Sequence, residues 1–188
     1  MALARLHGET LPDSLVSALG PLGLRCYYDF VRASPEELLL TIEHSCRLAG
    51  ALVFSFHPQS LMKRFFAANR ATLMGLILLR LPVSPRLRRF LSAKLFQGRP
   101  AAEAQEVLPE LVQIYVAGGS RRQGLGAELL AMLDARLRDH GVERYAVKTE
   151  DEPDNPAVDF YHRQGYVVAG RLQTTGKSYL CFVKRLEA

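Results

Sequence analysis

The run ELVQIYVAGGSRRQGLGAELLAMLDARLRDH, residues 110–140, constrains the fold more than any other part of the chain. It opens with an apolar, β-branched and aromatic stretch, the signature of a strand. A glycine-rich turn follows, and then Leu129, Leu130, Leu133 and Leu137 recur at the three- and four-residue spacing of one helix face. Gly141 stops that helix. A helix start carries unpaired backbone N–H groups and the positive end of a dipole. Glycines let a ligand approach that backbone closely. The physical expectation is an anion site, most naturally for a pyrophosphate.

The rest of the chain supplies a sheet for this unit to join. LLLTIEH and LAGALVFSF are strand-like runs with a short turn at SCR, predicting a hairpin over 38–56. LPDSLVSAL reads as a capped helix start that GPLG stops, and CYYDFVRA as a second short helix. Downstream, ERYAVKTE is a strand. NPAVDFYHRQ is a short helix with Asn155 as its cap and Pro156 in its first turn. YVVAG and SYLCFVK are further strands, parted by a turn at TTGK. The expected fold class is α/β (α+β), a mixed and mostly antiparallel sheet flanked by helices in one domain over 1–188.

Charge is unevenly placed. The chain has 24 basic and 19 acidic residues, a formal +5. Ten of the basic residues and no acid lie between His44 and Ala102, so the remainder carries 14 basic against 19 acidic residues. Cys26, Cys46 and Cys181 form neither a disulfide framework nor a metal-ligand spacing, and no metal is expected. The start MALARLHGETLPDS lacks the pattern of a secretory leader. The longest strongly apolar run, LMGLILL, is far short of the roughly 20 residues of a span. These readings point to a cytoplasmic protein.

Two other nucleotide motifs fail on spacing. Gly124 and Gly126 are followed by Leu129 where a dinucleotide fingerprint needs a third glycine. TTGKS ends like a phosphate loop, but Gly170 is one residue too distant and a strand follows. What remains is R-x-x-G-x-G-A at a strand-to-helix junction, then a strand, an asparagine, a short helix with Phe160 and Tyr161, and Gly165-Tyr166 before another strand. This order resembles the GNAT superfamily of acyl-CoA-dependent N-acyltransferases, most specifically over residues 110–168. The hairpin at 38–56 is similar to that family's second and third strands.

The resemblance implies acetyl-CoA (or another acyl-CoA) as co-substrate. Its pyrophosphate would meet the loop formed by Arg121, Arg122, Gln123, Gly124, Leu125, Gly126 and Ala127. The strand residues Ile114, Tyr115 and Val116 would pair with the pantetheine arm, which enters a splay beside the strand at 145–149. Asn155 would contact the pantetheine or the cofactor's far side. Tyr161 would act as general acid on the departing thiolate, the Val116 N–H would polarise the thioester oxygen, and Glu110 would serve as general base through water. Glu150 is the substitute base. His162 is read as a surface residue; His7 and Glu9 lie where the family builds part of its acceptor site and could touch an acceptor, but as lone residues they are read as having no functional role.

The departure from the family is the stretch between Phe56 and Glu110, where a short turn is usual. Residues 58–102 read as a helical, basic and apolar insertion broken at LPVSP. It would cover a sheet edge, act as a lid over the acceptor, or touch an acidic partner or anionic lipid; nucleic acid is not expected. The implied partner is a small primary amine, such as an amino sugar nucleotide or an amino acid, with the protein a monomer or homodimer. The alternatives are a CoA-binding sensor or peripheral-membrane adaptor without catalysis, and an acyltransferase that uses a longer acyl donor.

Overall fold

A computed structural model describes residues 2–82, 84, 85, 87, 88, 107–174 and 177–187. Six strands form one sheet in the order β1-β2-β3-β4-β6-β5: β1 Glu37–His44, β2 Arg47–Ser55, β3 Glu110–Val116, β4 Arg144–Glu150, β5 Val167–Thr174 and β6 Lys177–Arg185. Every neighbouring pair is antiparallel except β3 with β4. The expected hairpin is present, turned by Ser45 and Cys46, both with positive φ. That conformation gives a two-residue turn whose twist suits the strands it joins.

Helices cover both faces. α1 (Ala2–Thr10), α2 (Leu15–Ala18), α3 (Gly20–Ala33), α4 (Pro58–Ala68) and α5 (Arg70–Arg80) precede β3; α6 (Leu125–Asp139) precedes β4 and α7 (Pro156–Arg163) precedes β5. β2 shows why the sheet needs two covers. Its residues alternate, with Leu52 and Phe54 in a core formed with Leu129, Leu133 and Leu137 of α6. Ala51 and Val53 enter a second core with Leu24, Tyr27 and Tyr28 of α3, Phe65 of α4 and Leu73 of α5. A strand buried on both faces reads as one continuous apolar run, as LAGALVF does.

Three local expectations are corrected. GPLG does not stop a helix: Gly20 adopts φ +76 and begins the 14-residue α3, with Pro21 in its first turn. CYYDFVRA is therefore the second half of α3 rather than a separate short helix. Glycine permits the left-handed step out of α2, and proline is preset for a helix start. At the N-terminus, α1 forms where no helix was expected; its Leu3, Leu6 and His7 are buried. Within the insertion, α4 and α5 are helical as expected, and they part at Asn69, which caps both. Residues 81 and 82 turn the chain, 85, 87 and 88 are helical, and the rest of the expected helix to 102 lies outside the described residues.

α4 is fastened to the sheet edge by charge. Arg64 donates to both carboxylate oxygens of Glu37, at 2.5 and 3.1 Å, and to Ser34. Ser55 donates to the same carboxylate. Burial favours the neutral acid, but these donors outweigh it and hold the Glu37 carboxyl below its usual range.

Candidate active site

β3 and β4 are parallel neighbours over only two positions, Glu110 with Ala146 and Leu111 with Val147. One further bond, from the Ala146 N–H to the Pro109 carbonyl, closes the lower end. Beyond Leu111 the strands part, and the edge of β3 over Val112–Val116 that would face β4 has no strand partner among the described residues. The divergence begins at a bulge. Val53 pairs with Gln113 and Phe54 with Leu111, so Val112 has no partner on β2. A bulge bends its strand and increases twist, which turns β3 away from β4.

The glycine loop stands at the open end of this wedge. The Ala117 N–H bonds the Ala49 carbonyl, and a short 3₁₀ turn over Gly118–Ser120 leads to Arg121. Arg122 and Gly124 both take positive φ. Gly124 is the N-cap of α6 and supplies no side-chain cap, so the first N–H groups of the helix, on Leu125, Gly126 and Ala127, face outward. A Cβ placed on Gly118, Gly119 or Gly124 would meet nothing within 4 Å, which leaves room for a phosphate group at the loop. Gly126 has a different reason to be glycine: a Cβ there would lie 3.3 Å from the Phe160 ring. It lets α7 pack directly on the start of α6. Arg121 folds back, its Nε donating to the Val116 carbonyl at 3.4 Å, and Gln123 donates to the Gly119 carbonyl at 3.5 Å.

Tyr161 projects from α7 into the core beside the branch point. Its ring packs on Phe182 and Tyr166, with centroids 5.7 and 5.3 Å away. Phe182 of β6 pairs with Val147, which is opposite Leu111 in the last β3–β4 pair. Burial pushes the Tyr161 hydroxyl above its ordinary range, so it retains its proton at neutral pH.

Glu110 stands at the closed end of the wedge, in an ion pair with Lys148 of β4 at 2.6 Å. Asn155 caps α7 by accepting the Ala157 N–H at 3.0 Å, while its amide nitrogen donates to Thr149 Oγ1 and the Glu150 carbonyl. It thereby ties α7 to the end of β4. Glu150 pairs with Lys177, and His162 is exposed, its ring edge-on to Phe182. Ile114 and Val116 pack toward the α6 core, whereas the Tyr115 side chain enters the other core and bonds Tyr28.

Two groups escaped sequence reasoning. Lys148 lies 38 residues from Glu110, and only the parallel pairing joins them. The Gln113 side-chain oxygen, on β3 next to the bulge, is buried without a hydrogen-bond partner among the described residues. A polar residue in the middle of an apolar strand was the available signal. His7 is fully buried, bonded through Nδ1 to Tyr28 and through Nε2 to Ser14.

The profile of the Acetyltransferase (GNAT) family matches residues 5–166. The chain belongs to the GNAT acetyltransferase family. Solved structures share its fold. A GNAT-family acetyltransferase from Desulfovibrio desulfuricans aligns with a TM-score of 0.61 at 14% identity, covering 99% of this chain and 91% of the other. An aminoglycoside 6'-N-acetyltransferase complexed with coenzyme A gives 0.61 at 13% identity, over 100% and 90%. The ribosomal-protein-alanine N-acetyltransferase from Brucella melitensis gives 0.60 at 18% identity, over 98% and 93%. No curated protein matches the chain. In this GNAT protein, as expected, the sheet is mixed and mostly antiparallel with helices on both faces. No described helix is long and apolar enough to cross a membrane.

Proposed function

We propose that this GNAT protein transfers an acetyl group from acetyl-CoA to the primary amine of a small molecule by direct attack, with Tyr161 as general acid. The observation that carries the reading is the wedge between β3 and β4, which opens toward an uncapped helix start and has Tyr161 at its branch point. The free edge of β3 offers the backbone groups of Ile114 and Val116 to an amide-bearing arm, whereas those of Tyr115 face Ala51 of β2. The loop from Arg121 to Ala127 offers N–H groups and two exposed guanidinium groups, on Arg121 and Arg122, to a pyrophosphate.

In the reaction, the amine nitrogen bonds to the thioester carbonyl carbon and the carbon–sulfur bond breaks. The Tyr161 hydroxyl supplies the proton that the departing thiolate takes. The charge that develops on the carbonyl oxygen calls for a β3 N–H near the branch point; Val116, five residues beyond Leu111 at the open end, stands roughly 17 Å away along the strand and serves the cofactor arm instead. Glu110 receives the amine proton through water, and Lys148 holds its carboxylate in place. Asn155, with both ends of its amide engaged, keeps α7 at the end of β4 and so sets where Tyr161 stands.

The test is thiol release from acetyl-CoA against a panel of aminoglycosides, amino sugar nucleotides and amino acids, with mass spectrometry of the product. The reading requires an N-acetylated amine. Tight CoA binding without acetylation of any amine, and no effect of Tyr161→Phe on whatever turnover exists, would overturn it.

A further inference from the structure

α5 presents an outward face that water does not suit. Leu73 is buried, and Leu76, Ile77 and Leu81 pack on the same core, so one side of the helix is satisfied. The opposite side carries Ala71, Thr72, Met74, Gly75, Leu78 and Leu79, all exposed. Met74, Leu78 and Leu79 are 54%, 68% and 75% exposed. A helix lying on a protein surface ordinarily turns charged and polar groups outward. Here no charged residue stands between Arg70 and Arg80, at the two ends of the helix.

A cationic groove adjoins the same end of α5. Arg80 reaches back to α3, and its guanidinium lies over Gly20: a Cβ on that glycine would fall 2.2 Å from Cζ. The groove, about 1410 Å³, is also lined by Arg5, Arg25 and Arg47, and by the exposed Leu22. Arg5 pairs with Glu9 and Arg25 with Asp29. Among the described residues Arg47 and Arg80 have no carboxylate partner. Leu78 and Leu79 directly precede Arg80, so the apolar face and the groove meet at the last turn of α5.

We propose that the outward face of α5 and the arginine groove beside it dock this protein on an anionic phospholipid surface. The leucines and Met74 enter the boundary between headgroups and acyl chains, and Arg47 and Arg80 take lipid phosphates. A second copy of the chain is the poorer occupant, because a two-fold contact through this face would set arginines against arginines. Nucleic acid would leave the apolar face unmatched. The contact is a surface one, and it stands whether or not the acetyl-transfer reading holds.

The experiment is sedimentation of the full chain with vesicles of phosphatidylcholine alone or with 30% phosphatidylglycerol, at 0.05 and 0.5 M NaCl. The result expected is binding to the anionic vesicles at low salt, at least about tenfold weaker at high salt because exposed charges are screened. Leu78→Gln with Leu79→Gln, on the water-exposed face, lowers binding at least about tenfold while circular dichroism and CoA affinity stay unchanged. Arg47→Gln with Arg80→Gln does the same at low salt. Equal partition into both vesicle types, no partition, or binding indifferent to both pairs of substitutions overturns the proposal. So does a dimer in sedimentation equilibrium that the leucine substitutions dissolve, or stabilisation of the wild type by soluble glycerol phosphate without vesicle binding.

Discussion

The hydroxyls of Tyr28 and Tyr115 lie 2.6 Å apart, joining α3 to the strand whose free edge lines the wedge. The chain of contacts continues from Tyr28 to His7 at 2.7 Å and from His7 to Ser14 at 2.8 Å. α3 is therefore tied to β3 directly through Tyr28, and α1 and the cap of α2 are joined to that tyrosine by one buried imidazole.

That imidazole makes stability depend on pH. Burial lowers the His7 pKa from 6.5 to about 4. Between these values the unfolded chain binds a proton that the folded chain does not, so stability falls as pH drops from 6.5 toward 4. The loss is on the order of 3 kcal/mol when complete, at 1.4 kcal/mol per unit. Urea unfolding at pH 7, 5.5 and 4.5 tests this, and His7→Gln is expected to flatten the dependence. An equal slope in the variant would assign it elsewhere. The Glu37 carboxyl, held below its usual range by Arg64, Ser34 and Ser55, contributes stability that is lost only as pH falls through and below that range, so it adds to the loss at the acid end.

Breaking the clamp on α4 has an effect of similar size that is less pH-sensitive near neutrality. The Glu37 side chain is fully buried and depends on Arg64. Arg64→Met leaves that carboxylate without its main partner and is expected to cost about 3 kcal/mol. Equilibrium urea denaturation at pH 7 measures it. A change under about 1 kcal/mol would mean that Ser34 and Ser55 suffice.

The glycine loop is tested by Gly124→Val. A branched side chain is strained at φ +80 and would fill the open space next to the loop amides. CoA affinity measured by calorimetry is expected to drop at least about tenfold, or 1.4 kcal/mol. Undiminished affinity in a folded variant would remove this loop from the binding site.

Tyr161→Phe separates packing from proton transfer. The ring contacts with Phe182 and Tyr166 remain, so CoA affinity and thermal midpoint should hold. Turnover is expected to fall about 10²-fold, the scale of a general acid step. An unchanged rate with a good amine would mean that another group protonates the thiolate.

What could be read in advance followed the reach of each signal. The β3–loop–α6 unit was legible because strand pattern, glycines and helical leucines are contiguous, and the Asn155 cap was legible because Pro156 follows it. Gly20-Pro21 was misread because the pair that punctuates a chain also starts a helix; only the buried Leu24, Tyr27 and Tyr28 decide between the two. His7 looked like an isolated residue because Tyr28 is 21 positions away. The second role of Gly126 was invisible, since Phe160 reaches it only after α7 folds back. The same holds at the site: Glu110 was named from its place before the loop, but its lysine comes from another strand.

The two β3–β4 pairs divide the sheet into two three-stranded blades joined at a single corner. Within β1-β2-β3 and within β4-β6-β5 the strands pair along most of their length, interrupted only by single bulges. Stiffness across the junction therefore comes from the packed helices and from whatever occupies the gap. A molecule lying there acts as a missing seventh strand. Amide hydrogens along the free edge of β3 should then exchange quickly in the empty protein and slowly in the loaded one, and the angle between the blades becomes a property of the complex more than of the chain.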